Sequence, residues 1–242
     1  MTGRRGSVDV SVVRTTARED VAWTGAVLEV PVERPLVRVA MYRSTAVVLG
    51  CAQRITEQDR LRATAAGIDL LVRQSGGGAV LAGPWLLGAS VALPASHPFA
   101  TMTLPSSYRW LGRACVRWLG GMGIVGQSLP AHAEADGPQP WACFGRTASW
   151  EVKCAGRKIA GFAQVRRRSG VVFNAGVLLD APPWRLMCAV LGKSYDEALQ
   201  LSAGTVACER LLLQPLPVES AAAAWGEYLA VALGAGCAVR TA

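Results

Sequence analysis

Lys158 stands in the stretch Glu151 to Asp180, EVKCAGRKIAGFAQVRRRSGVVFNAGVLLD, and is followed by the small residues Ala160, Gly161 and Ala163. Small residues let a second chain or a ligand come close to the backbone. A lysine held there, off a solvated face, offers a cation to a phosphate or carboxylate. Taken alone, the stretch also reads as a β-hairpin with a surface lysine. A second cation, Arg73, precedes Ser75 and the triplet Gly76, Gly77, Gly78 in GIDLLVRQSGGGAVLAGPWLLGASVALP, Gly67 to Pro94. Successive glycines free backbone N–H groups to point at an anion, and arginine adds a planar fork of donors. A lone glycine triplet, however, is often only a tight turn. The seven cysteines, Cys51, Cys115, Cys143, Cys154, Cys188, Cys208 and Cys237, are irregularly spaced and form no CxxC pair. With two histidines beside them they predict no metal site. They read as the reduced thiols of a cytoplasmic protein.

The elements that must position these groups follow from the pattern. Val8 to Val13 alternates like a strand. Thr16 caps a helix through about Glu29, with Glu19 three residues on, and Pro31 and Pro35 end it. Leu36 to Tyr42 and Ala46 to Leu49 read as strands joined by a tight polar turn. A helix over Glu57 to Ala66 stops at Gly67, and strand 68–72 runs into the glycine loop. Ala79 to Leu93 reads as two strands around a turn at Ala82 to Trp85. Ser106 to Gly120 has helical spacing, with its tryptophans in the core. Residues 126–140 read as a loop carrying an exposed, idle His132, and His97 is taken as idle too. Beyond the strand–turn–strand–turn–strand of the Lys158 region, Pro182 and Pro183 open a helix through about Leu191. Further helices are expected over Asp196 to Leu201, Ala207 to Leu213 and Ser220 to Leu233, with Trp225 and Leu229 on one face of the last. Strands interleaved with helices predict an α/β (α+β) fold, a mixed β-sheet flanked by helices. It forms a single domain over 1–242, with a core of about 8–200 and a C-terminal helical extension of about 201–242. Residues 1–7 are expected to be loose.

Arg73 to Val80 and Gly156 to Gln164, in this order and at this distance, resemble the R-x-S/T-G-G-x-A-V loop and the G-x-K-(I/V)-(A/S)-G-x-A-Q segment of the biotin/lipoate protein ligase superfamily, in its lipoate ligase and octanoyltransferase branch. Ala46 to Gln53, AVVLGCAQ, resembles a third segment of that branch. The resemblance covers roughly residues 40–180. It implies the catalytic-domain fold of biotin and lipoate ligases, with Arg73, Ser75, Gly76, Gly77, Gly78, Ala79, Gly161 and Ala163 around the acyl or adenylate group. Lys158 then stands at the acyl carbonyl, where a cation in a dry pocket stabilises developing oxyanion charge.

Ala142 to Glu151, ACFGRTASWE, resembles the C-F-x-x-P-S-x-Y-E pattern of octanoyltransferases. Cys, Phe and Glu match, while Thr147, Ala148 and Trp150 replace Pro, Ser and Tyr. The resemblance implies a transferase that carries an octanoyl or lipoyl group on Cys143 as a thioester, with Lys158 as general acid/base or oxyanion partner. A neighbouring ammonium is expected to lower the thiol pKa. The partners implied are acyl carrier protein and lipoyl carrier domains or proteins, and the transfer needs no cofactor. The alternative within the family is an ATP- and Mg-dependent lipoate ligase without its accessory domain, which is typically about a hundred residues. A third reading is a non-catalytic module that binds lipoyl carriers or nucleotides. It is motivated by Ala82 and Ala175, where the family carries histidines; Phe162, where the family carries serine, reshapes the pocket wall further. Lys158→Ala is expected to abolish activity at little cost in stability, and Arg166 and Arg167 are expected to be exposed hairpin charges without effect.

The bulk properties set the outer limits. Half the residues are apolar and 17% charged, so the chain can bury a large core. The formal charge of +8 favours acidic partners. The arginines are scattered and match no nucleic-acid motif. No apolar run reaches the ~20 residues of a membrane span, and Arg4 and Arg5 precede no apolar leader.

Overall fold

A computed structural model describes residues 8–130 and 137–234, together with the backbone of 237–241. The expectations for residues 1–7 and His132 lie outside the described residues. The chain begins with β1 (Val8–Thr15), whose alternate valines Val8, Val10 and Val12 are buried. α1 (Ala17–Ala26) follows, with Thr16 and Glu19 forming a reciprocal capping box. β2 (Leu36–Tyr42) and β3 (Ala46–Leu49) come next. α2 (Glu57–Ala65) stops at Gly67, whose φ of +67° suits glycine. β4 (Asp69–Val72), β5 (Val80–Ala82) and β6 (Leu86–Leu93) complete the first half.

Two one-turn helices, α3 (Pro98–Thr101) and α4 (Leu104–Ser107), lead into α5 (Arg109–Gly121). His97 is not idle, since its Nδ1 accepts from the Phe99 N–H and caps α3. β7 (Gln127–Ser128), β8 (Val152–Cys154), β9 (Arg157–Arg167) and β10 (Gly170–Leu178) follow, then α6 (Trp184–Val190), α7 (Tyr195–Gly204) and α8 (Val218–Ala232). The helix expected over Ala207 to Leu213 is a single 3-10 turn at Cys208–Arg210. The region assigned to a helical extension also holds a strand, β11 (Cys237–Thr241), beside β1.

Among the described residues, eight strands form one sheet in the order β11-β1-β2-β6-β10-β9-β8-β7, parallel only at β11/β1 and β1/β2. β4, β3 and β5 form a second sheet. The turn between β2 and β3 is therefore a crossing between sheets, not a hairpin. One face of the large sheet is covered by α5 and α8, where Trp118 and Trp225 are buried ring against ring and the Trp118 Nε1–H donates to the Ala221 carbonyl. The small sheet packs with α6 and α7 in a second core that includes Phe144 and Trp184. The candidate site lies where the two sheets meet.

Candidate active site

Three backbone segments converge at the glycine loop. A Cβ on Gly50 would fall 1.9 Å from the Gly77 carbonyl oxygen, and one on Gly78 would fall 2.7 Å from the Cys143 nitrogen. No other residue fits at either contact. The Ala79 N–H donates to the Trp141 carbonyl (2.7 Å) and the Cys143 N–H to the Ala79 carbonyl (2.8 Å), so the loop fixes Cys143 directly. Arg73 locks the loop from within. Its Nε donates to Ser75 Oγ, Nη1 to the Val48 carbonyl, and Nη2 to the Gly76 and Gly78 carbonyls.

Lys158 is 1% exposed and Glu151 5%, so the surface-lysine reading is wrong. The Nζ donates to Glu151 Oε2 at 2.6 Å and to the carbonyls of Cys143 (2.5 Å) and Arg146 (2.8 Å). These bonds use all the protons of an ammonium. The Glu151 carboxylate also accepts from the N–H groups of Ala148 and Phe162. Trp150, just before it, has φ +69°, a strained conformation for a bulky residue. That turn points Glu151 inward to Lys158. The site needs Gly161 open as well: a Cβ there would lie 2.9 Å from Cys143 Sγ and 3.3 Å from Lys158 Nζ. Thiol and ammonium therefore flank the same small gap.

A cavity of about 100 Å³ opens from the thiol. Arg73, Ser75, Cys143, Gly161 and Ala163 line it, together with all three departures from the family pattern, Ala82, Phe162 and Ala175. Gly76, Gly77, Gly78 and Ala79 are not on its wall, and Lys158 lies behind Gly161. At this volume the cavity is smaller than the ~150 Å³ apolar void that takes benzene. Four wall residues had no signal in a motif. The Tyr42 hydroxyl donates to Asp20 (2.8 Å), and the Asn174 amide donates to Ser90 (2.8 Å). Burial pushes the Asp20 carboxyl up against the pull of Tyr42 and Arg38, and burial then Asp20 push the Tyr42 phenol up. A serine inside the apolar run of β6 was the one available hint.

Burial also raises the Cys143 thiol above its ordinary value, and Glu151 adds to this; Lys158 and Arg73 pull the other way. The expected lowering therefore does not appear, because burial, helped by Glu151, outweighs the pull of Lys158 and Arg73. A raised thiol is protonated at neutral pH, and its thiolate grows about tenfold per pH unit until the raised value is reached. Alkylation of Cys143 by iodoacetamide, followed by peptide mass mapping, should still be accelerating at pH 9. A plateau near pH 7 would mean that the two cations outweigh burial.

Arg166 also departs from expectation. It ties β9 to the α3 segment through the Ala100 and Met102 carbonyls, while Arg167 is exposed. Among the described residues, no group of three or more His, Cys, Asp or Glu is placed to hold a metal ion, and no helix is long and apolar enough to cross a membrane.

A thiol on a small cavity thus stands beside a glycine loop and a buried lysine at the junction of two sheets. Residues 27–200 match the lipoyl protein ligase A/B catalytic domain, and the chain belongs to that family. The octanoyltransferase LipM of Lysinibacillus sphaericus is 26% identical over 210 residues, 82% of this chain and 75% of that protein. LipM of Staphylococcus aureus is 27% identical over 152 residues, 60% of this chain, and the match spans about half of that relative's length, 55%. Among solved structures, a lipoate-protein ligase A bound with ATP has the same fold, with a TM-score of 0.73 at 18% identity over 98% of this chain and 89% of that one. A bipartite lipoate protein ligase from Thermoplasma acidophilum is similar, with a TM-score of 0.72 at 17% identity over 98% of this chain and 88% of that one.

Proposed function

We propose that this protein is a cytoplasmic acyltransferase that moves an octanoyl or lipoyl group from an acyl carrier protein to a lysine of a lipoyl carrier domain. The observation that carries the reading is Cys143 Sγ on the cavity wall, beside the gap at Gly161 that it shares with Lys158. In the first step the Cys143 sulfur attacks the donor thioester carbonyl. The acyl–enzyme thioester forms, and the carrier leaves as a thiol with the proton Cys143 gave up. In the second step a carrier lysine amine attacks, an amide forms, and Cys143 recovers its proton. Acyl enters and leaves through bonds of similar energy or downhill to the amide, so no ATP is consumed. Lys158 holds the Cys143 and Arg146 carbonyls at rest. On substrate binding, one of those bonds is exchanged for the developing oxyanion.

The donor bonds of Arg73 support this choice over the ATP-dependent ligase. Its guanidinium is committed to the loop carbonyls and Ser75, not presented as a fork to phosphate. Incubation with an octanoyl-loaded carrier, followed by intact-mass measurement, should show an acyl adduct without ATP. Pyrophosphate release from free octanoate or lipoate with ATP, with no adduct, would instead establish the ligase.

Phe162 sets the size of the cavity in this reading. Its ring stacks on Tyr108 with centroids 6.3 Å apart. Phe162→Ser should shift the rate ratio of eight-carbon to four-carbon donors upward by roughly tenfold, the worth of burying a further one to two methylenes. An unchanged ratio would remove Phe162 from the acyl wall.

A further inference from the structure

A second concavity, of about 440 Å³, lies along α5, between it, the α3 segment and α8. Its bed is apolar, with Trp110 beneath and Met102 and Val231 at the surface, 40% and 62% exposed. Arg109, Arg113 and Arg117 cross it, one turn apart along a single stripe of α5. Like charges at this spacing repel one another. Among the described residues no acid forms an ion pair with any of the three. The described residues thus leave three uncompensated cations around an exposed apolar trough.

The trough is wired to the active site by packing. The Arg109 guanidinium lies 5.6 Å from the centre of the Trp150 ring. Trp150 carries the strained turn that aims Glu151 at Lys158, and its carbonyl sits where a Cβ on Gly112 of α5 would be, 2.3 Å away. The residue before Arg109, Tyr108, stacks on Phe162 of the acyl cavity.

We propose that this trough docks an acidic amphipathic helix of the carrier protein that donates the acyl group, a proposal that rests on the acyl-transfer reading above. Charge complementarity selects the partner. An apolar stripe flanked by carboxylates fills the bed and meets the arginines together. Phosphates of a nucleic acid would meet the arginines and leave Met102 and Val231 in water. Docking places the donor beside Tyr108 and Phe162, at the edge of the cavity that holds Cys143.

The test is the variant Arg113→Glu/Arg117→Glu, which spares Arg109 and its contact with Trp150. Acylation of the protein is followed with two donors, octanoyl on an acidic carrier protein and octanoyl-pantetheine thioester. The KM for the carrier donor should rise at least tenfold, and more steeply in the parent protein as salt is added. The small thioester should react at the parent rate, and Arg113→Lys/Arg117→Lys should restore carrier use. Equal KM for carrier in variant and parent overturns the proposal. So does an equal loss with both donors, which would mean damage to the site. Loss of binding to anionic vesicles or to duplex DNA, with carrier kinetics unchanged, assigns the stripe to those partners and overturns it too. If the parent protein is acylated by neither donor, the acyl-transfer reading fails. Titration of the acidic carrier into parent and variant then decides docking alone, and equal affinity counts against it.

Discussion

Cys143→Ala is expected to yield no acyl–enzyme and to lower carrier-to-carrier transfer by about a thousandfold or more, the usual scale for deleting a nucleophile. The alanine removes only a sulfur. The backbone of residue 143 stays fixed by the Ala79 bond to its N–H and the Lys158 bond to its carbonyl, so the fold should survive. Cys154→Ala provides the control. That thiol lies in the core under α5, where burial raises it to about 11, and it is not on the cavity wall. Its loss should leave the adduct intact. A Cys143→Ala protein that still transfers octanoyl would end the thioester mechanism, and dependence on ATP in that protein would put the ligase in its place.

Lys158→Ala should cost both activity and the fold. The sequence reading expected a pocket lysine whose loss is mild, but the structure buries the side chain and pairs it with Glu151 at 2.6 Å. Removing the ammonium leaves a buried carboxylate without its counter-charge and takes the Nζ donor from the Cys143 and Arg146 carbonyls. Breaking such a pair by one partner typically costs about 3–5 kcal/mol. For a chain of this length that lowers Tm by roughly 10 °C, at about 2–4 °C per kcal/mol. The double variant Lys158→Met/Glu151→Gln removes the orphan charge and should recover much of the stability while staying inactive. That split separates the structural role of the pair from its chemistry. A single Lys158→Ala variant that melts like the parent would show that the pair does not bear on the fold, and the sequence expectation would stand.

Local signals in the sequence determined most elements. The Thr16–Glu19 box, the stop at Gly67 and the two strands on either side of Ala82–Trp85 each rest on a few neighbouring residues, and each is found. The nucleophile candidate and the lysine were likewise picked out by contiguous motifs. What needed tertiary structure is partner choice. The sequence marks β2 and β3 as strands joined by a tight polar turn, but alternation shows only that a strand has two faces, not which strand lies beside it. β2 pairs with β1 and β6, and β3 with β4 and β5. The triplet Gly76 to Gly78 reads as an anion cradle, yet what comes close to Gly78 is the chain's own backbone at residues 141–143. Nothing local announces that contact. Lys158 reads as a hairpin charge because its burial depends on Glu151, turned inward by the positive φ of Trp150, and on two carbonyls from a different loop. Burial and counter-charge are properties of converging segments, so the chemistry of Lys158 and Cys143 was set only when the two sheets met.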